Sequence, residues 1–180
     1  KRGNMTEPYD VYDLNPVDRI TADAIGEPGS RVFYIQARKG THLVTMICEK
    51  EHVAALALAV DQVLMTLAGD DADAVVDPDP VIYEGMDLEY PLEPVFRAGQ
   101  VSLGYDEVSK RLVVIAYELQ EEDDESQPSV ARFWATPAQM RAFSIHGQDV
   151  VAAGRPRCSM CGEPIEPEGH FCPRKNGNRT

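Results

Sequence analysis

The chain has 180 residues, 43% of them hydrophobic and 26% charged, with a net charge of −13. That length suits one domain of ordinary size, or one domain with a small appendage, and that composition is of a folded and not an intrinsically disordered chain. The charge is uneven: residues 155–180 sum to +2 and residues 1–154 to −15, so the body repels polyanions and nucleic acid is disfavoured as its main partner.

Residues 1–4, ahead of Met5, are set aside from fold reasoning. Residues 5–30, with Pro8, Pro16, Pro28 and Gly29, are polar and turn-rich and predict a loosely structured N-terminal arm, residues 1–30 in all. Arg31 to Ala37 follows with β-branched and aromatic residues in near alternation, and Thr41 to Glu49 reads as a second strand. Lys39-Gly40 between them makes a turn, so the pair predicts an antiparallel hairpin.

Val53, Leu56, Ala57, Val60, Val63, Leu64 and Leu67 then recur at intervals of three and four, which predicts an amphipathic helix of five turns capped by Gly69. Residues 70–79 are acids and prolines and read as a solvated loop. Val95 to Tyr105 predicts one strand or two short ones broken around Gly99. Leu112 to Tyr117 predicts a buried strand, and Val130 to Trp134 another after the acidic loop 121–125. Thr136-Pro137-Ala138-Gln139 has the signals of a capping box. It predicts a second helix with Met140, Phe143, Gly147, Val150 and Val151 facing inward and Gly154 at its end. The expected architecture is α+β: antiparallel strands with two amphipathic helices in the order ββα then βββα over residues 31–154, followed by a short zinc-ribbon-like tail at 155–180.

That tail holds three of the four cysteines. Cys158, Cys161, His170 and Cys172 fall within fifteen residues of turn formers that carry no apolar periodicity. Burial cannot hold such a segment, whereas a tetrahedral zinc ion bound by three thiolates and an imidazole can. A redox pair would need a thioredoxin-like strand and helix around Cys158 and Cys161, and none is present. Four ligands leave no open coordination position, so the expected zinc is structural. Clustered thiols holding a metal fit a reducing compartment better than a secreted disulfide framework does. With no signal peptide and no apolar run of bilayer-spanning length, the expectation is a cytoplasmic protein without a membrane segment.

Other chemistry is thinly signalled. His42, His52 and His146 stand singly, Ser144 and His146 are too close on one helix to form a nucleophile–base pair, and Cys48 sits in an apolar run as a small hydrophobe. The acidic runs lack the glycine and spacing of a calcium loop, and no phosphate-binding glycine loop occurs.

Two stretches carry a likeness: Phe33-Tyr34-x-Gln36-Ala37-Arg38-x-Gly40, and Cys158-x-x-Cys161-Gly162-x-Pro164-x-x-Pro167-x-Gly169-His170-x-Cys172-Pro173-Arg174-x-Asn176-Gly177. With them the chain resembles, over nearly its whole length, an actinobacterial family known as domain of unknown function 3090. The resemblance implies no activity and no residue role beyond the four metal ligands. It does imply a neighbourhood, since members are encoded beside a phosphoglycerate-mutase-like phosphatase and a phosphatidylinositol-kinase-like protein. Three functional readings follow. The first is a protein-interaction or adaptor module with a structural zinc. The second is an enzyme acting on a small phosphorylated or other metabolite, with a body pocket using residues such as Arg38, His42 and Tyr117. The third is weak nucleic-acid binding through Arg174, Lys175 and Arg179.

Overall fold

The computed structural model describes residues 9–69, 85–165 and 169–175. Seven strands, β1 (Val11–Leu14), β2 (Arg19–Ile25), β3 (Val32–Lys39), β4 (His42–Cys48), β5 (Pro94–Asp106), β6 (Arg111–Glu118) and β7 (Val130–Ala135), form one sheet in the order β1-β7-β6-β5-β4-β3-β2. Helix α1 (Lys50–Ala68) follows β4 and helix α2 (Pro137–Ala152) follows β7. The α+β class and both helices match expectation. The strand count does not, because two strands lie where a loose arm was expected.

Those two strands also change the topology. β1 pairs parallel with β7, and β4 pairs parallel with β5 across the α1 connection, so the sheet is mixed and not purely antiparallel. β1 and β2 lie at opposite ends of the strand order yet are joined by residues 15–18 alone. Six inter-strand gaps would span about 29 Å in a flat sheet, whereas so short a link reaches at most about 18 Å. The sheet therefore curls until its two edges meet. Val17 N donates to Trp134 O of β7 at 2.9 Å, Asp18 N donates to Arg38 O of β3 at 2.7 Å, and the Gln139 amide at the start of α2 donates to Val17 O and Asp18 O. The link is the clasp of the curl, and it covers backbone that an open sheet would leave as unpaired edges.

Alternation supplies the core. Ile20, Ala22, Ile35, Ala37, Met46, Leu112, Val114, Ala131 and Phe133 project from one face of the sheet and are almost fully buried, together with Val53, Leu56, Ala57 and Val60 of α1 and Met140, Phe143 and Val150 of α2. The two helices touch closely at Gly147, where a Cβ would stand 3.2 Å from Val53 Cγ1. The capping box forms as expected: Thr136 N donates to Gln139 Oε1 at 2.9 Å and Gln139 N to Thr136 Oγ1 at 3.2 Å. Helix α2 ends at Ala152 with Ala153 as its cap, one residue before Gly154. Gly69 closes α1 at φ +61. The C-terminal half of the α1 stripe differs from expectation, since Val63 and Leu64 are half-buried and Leu67 is exposed among the described residues. Helix α1 also corrects the expectation of no bilayer-length apolar stretch. Its length and hydropathy would suffice to cross a bilayer, but its Val53–Val60 face lies in the core.

The opposite face of β2, β3 and β4 buries polar groups, and each has a partner. Gln36 is fully buried; its amide donates to Thr45 Oγ1 and Glu89 O at 2.9 Å each and accepts from Glu89 N at 2.8 Å. Thr21 Oγ1 donates to Met86 O, Arg19 donates to the Gly85 and Asp87 carbonyls, and Arg38 pairs with Glu89 at 3.1 Å. Residues 85–89 are thus held on the sheet by hydrogen bonds around the buried Met86. We expect Gln36→Leu to leave the buried Thr45 hydroxyl and the half-buried Glu89 backbone groups without their partner and to lower stability by about 2 kcal/mol, with the amides of 85–89 losing hydrogen-exchange protection before the rest of the sheet does. Unchanged protection there would refute this role for Gln36.

Candidate metal centre

The residues after α2 build a small knuckle. Arg157 and Pro164 form an antiparallel bridge, Cys158 N donates to Glu163 O and Gly162 N to Cys158 O at 2.8 Å each, and Ile165 N donates to Pro156 O at 2.8 Å. Gly162 takes φ +79 with open space around it, so glycine serves here for its left-handed backbone and not for room. The second arm enters through Gly169, at φ +89, and passes His170 and Cys172 into a 3-10 turn at Pro173–Lys175. Arg174 Nη1 donates to Met160 O at 2.9 Å and ties this arm to the first.

The two arms bring the four expected ligands together. One ligand atom from each of Cys158, Cys161, His170 and Cys172 lies within 4.8 Å of the others. Cys158 Sγ and Cys172 Sγ stand 3.8 Å apart, and Cys161 Sγ is 3.2 Å from His170 Nε2. All the cysteines are free thiols, and the 3.8 Å separation is far beyond the about 2.05 Å of a disulfide. Cys158 and Cys172 are buried, and among the described residues after α2 no large apolar side chain is. The cluster, not a hydrophobic core, is what the two arms share, and its donor set is one that holds a metal ion.

The two thiols of this turn shift in opposite directions. Backbone amides of Cys161 and Met160 donating to Cys158 lower its thiol to about 7. At Cys161 the Glu163 amide pulls downward, but burial and the neighbouring thiols of Cys158 and Cys172 outweigh it, so this thiol is raised. Thiols crowded in this way relieve their mutual repulsion by sharing a cation. Cys48 behaves oppositely: burial, with Glu49 beside it, pushes its thiol up to about 12, the mark of an inert core residue.

The residues weighed for catalysis do not converge. Arg38 lines a cavity of about 580 Å³ with Asp18, Arg19, Glu89 and Gln139. His42 lines a different one of about 800 Å³ with Asp13, Asp18 and Lys39, and Tyr117 lines neither. His52 Nδ1 accepts from Glu49 N at 3.2 Å and so caps α1. His146 lies 4.0 Å from Asp23. Ser144 is fully buried between the helices and donates to Asp61 Oδ1 at 2.7 Å; that oxygen also accepts from Arg141, and Asp61 Oδ2 accepts from Gln148. That polar group joins α1 to α2; no apolar periodicity could have revealed it, because Asp61 and Ser144 are 83 residues apart. The 121–125 loop is exposed and turns on itself through Asp124 N to Glu121 O. The loop at 70–79 and Arg179 lie outside the described residues, as does the side chain of Lys175.

No curated protein and no solved structure matches the chain. One family profile does, that of the family described as protein of unknown function (DUF3090). It runs over residues 12–172, from the first strand to the last cysteine of the cluster. Body and metal knuckle fall within one matched unit, and the chain belongs to the DUF3090 family.

Proposed function

We propose that the protein is an interaction module whose C-terminal knuckle is built on a structural zinc ion and presents a surface to a partner protein. The observation that carries the reading is the side chains flanking the cluster: Met160 is 45% exposed and Phe171 66% exposed, each next in sequence to a metal-ligating cysteine or histidine. Large apolar residues held outward by a rigid loop are characteristic anchors of a protein contact. The zinc assignment is supported by distance. Tetrahedral zinc with Zn–S bonds near 2.3 Å has sulfur–sulfur edges of about 3.8 Å, which is the Cys158–Cys172 separation. Four ligands close the coordination sphere, so the ion organises the loop and leaves no position for a substrate. Four reduced thiols suit the cytoplasm. The acidic body argues against nucleic acid as the main partner. The phosphatase-like and kinase-like proteins encoded beside members of the resembling family are the first partners to try.

The test has two parts. Protein purified without added metal should contain close to one equivalent of zinc. The double variant Met160→Ser, Phe171→Ser should keep that zinc and lose co-sedimentation with the partner that the unmodified protein binds. An ordered knuckle without metal would sink the zinc assignment. Turnover of a metabolite, abolished by a substitution in residues 31–154, would sink the module.

A further inference from the structure

A chain with 30 acidic and 17 basic residues nevertheless gathers four cations around one small cavity. The cavity, of about 250 Å³, is lined by Gly29, Arg31, Phe33, Lys50, Gly154, Arg155, Arg157 and Pro164. It sits at the seam between the body and the knuckle: Arg31 comes from the loop before β3, Lys50 from the first residue of α1, Gly154 and Arg155 from the exit of α2, and Arg157 and Pro164 from the knuckle's bridge. Among the described residues, no lining residue is acidic.

The cations are positioned by the fold. Arg31 donates through Nη1 to Val150 O at 2.7 Å and lies over the Phe33 ring, 4.9 Å from its centre. Arg157 Nη1 donates to Gly162 O at 3.0 Å. Lys50 makes no hydrogen bond or ion pair among the described residues. The two glycines provide room. A Cβ on Gly154 would stand 3.1 Å from Arg31 Nη2 and 3.2 Å from Lys50 Nζ, and one on Gly29 would stand 3.1 Å from the Arg155 guanidinium. Arg31 Nη2 and Lys50 Nζ therefore both lie close to the point that Gly154 leaves empty. Like charges brought this close, with no carboxylate among the described lining residues, repel, and an anion among them converts the repulsion to attraction.

From this convergence we infer that the seam is a binding site for a phosphoryl group, as inorganic phosphate or a small phosphomonoester. The Arg31 and Arg157 guanidiniums offer planar N–H donors that match a tetrahedral oxyanion, Arg155 adds positive charge beside them, and Lys50 adds a point charge. The volume admits a phosphate with little more than its first substituent. Among the described residues the lining holds no carboxylate, histidine, thiol or hydroxyl, so these residues bind without supplying a nucleophile or general base. Because Arg155 and Arg157 belong to the segment that carries the metal knuckle, an occupied site would also fasten that segment to the body. This site is independent of the protein-docking reading above.

The experiment is isothermal titration calorimetry of the zinc-loaded full chain with inorganic phosphate and, separately, glycerol 3-phosphate, at ionic strength held constant with chloride. One saturable site is expected for at least one of the two. Tighter binding of the ester identifies an organic phosphate, and equal binding identifies the phosphate group alone. Lys50→Gln should weaken binding by about tenfold or more. Gly154→Ala should weaken it too, since its backbone is not left-handed and its methyl fills the cradle. Lys110→Gln, in the exposed β5–β6 turn, makes the same change in net charge and should have no effect. Circular dichroism confirms that each variant is folded, and Gly154→Ala tests the site even if Lys50→Gln disturbs α1. Absence of saturable binding would overturn the inference, as would equal weakening by Lys110→Gln. So would binding confined to a Glu166→Gln, Glu168→Gln double variant, which would mean that the cations serve the chain's own carboxylates.

Discussion

Cys161→Ser is expected to disorder the knuckle and leave the body folded. Formation of a structural zinc site contributes on the order of 10 kcal/mol to ordering its segment, and the described residues after α2 bury little besides Cys158 and Cys172 to replace it. The sheet and the two helices, in contrast, have their own core, in which none of the four ligands takes part. Circular dichroism should retain most of the helix and strand signal, and thermal melting should remain cooperative. Amide resonances of residues 157–165 and 169–175 should collapse to unstructured positions, and chelation of the unmodified protein should have the same effect. Loss of all cooperative unfolding would mean that body and knuckle fold as one unit.

Phe133→Ala is expected to cost about 3–5 kcal/mol, the range for deleting a fully buried aromatic ring. Phe133 is fully buried in β7 and lies in register with Val114 of β6 on one side and Leu14 of β1 on the other. Its loss opens a cavity where β1 attaches, close to the 15–18 clasp that begins at the next residue. Chemical denaturation should show a lower midpoint, and hydrogen exchange should quicken first in β1 and in the amides of Val17 and Asp18. A loss below about 1 kcal/mol would show that the surrounding core collapses to fill the space.

Much of the body was legible because its signals are local. The α1 spacing from Val53 to Val60, the Thr136–Gln139 box and the Lys39-Gly40 turn each join residues only a few positions apart, and each forms in the structure. The interruption expected near Gly99 appears as a register shift between Ala98 and Gln100 within one continuous strand. The residues of the first resemblance motif also gain physical roles. Gln36 and Arg38 fasten Glu89, and Gly40 takes φ +57 while its amide donates to Asp18.

The cluster of Cys158, Cys161, His170 and Cys172, the two helices and most of the strands could be read from local pattern, because capping, periodicity and residue spacing act over a few residues. The sequence by itself did not reveal β1 and β2. Their runs, Val-Tyr-Asp-Leu and Arg-Ile-Thr-Ala-Asp-Ala-Ile, are short, and Asp and Ala interrupt their strand-forming Val, Tyr, Ile and Thr. They are strands because β7 and β3 offer them partners, in β1 more than a hundred residues away in the chain. The curl of the sheet, the part-buried Asp61–Ser144 contact and the four cations at the seam have the same origin. Each joins residues from distant parts of the chain, and only packing against a shared core brings such residues into contact.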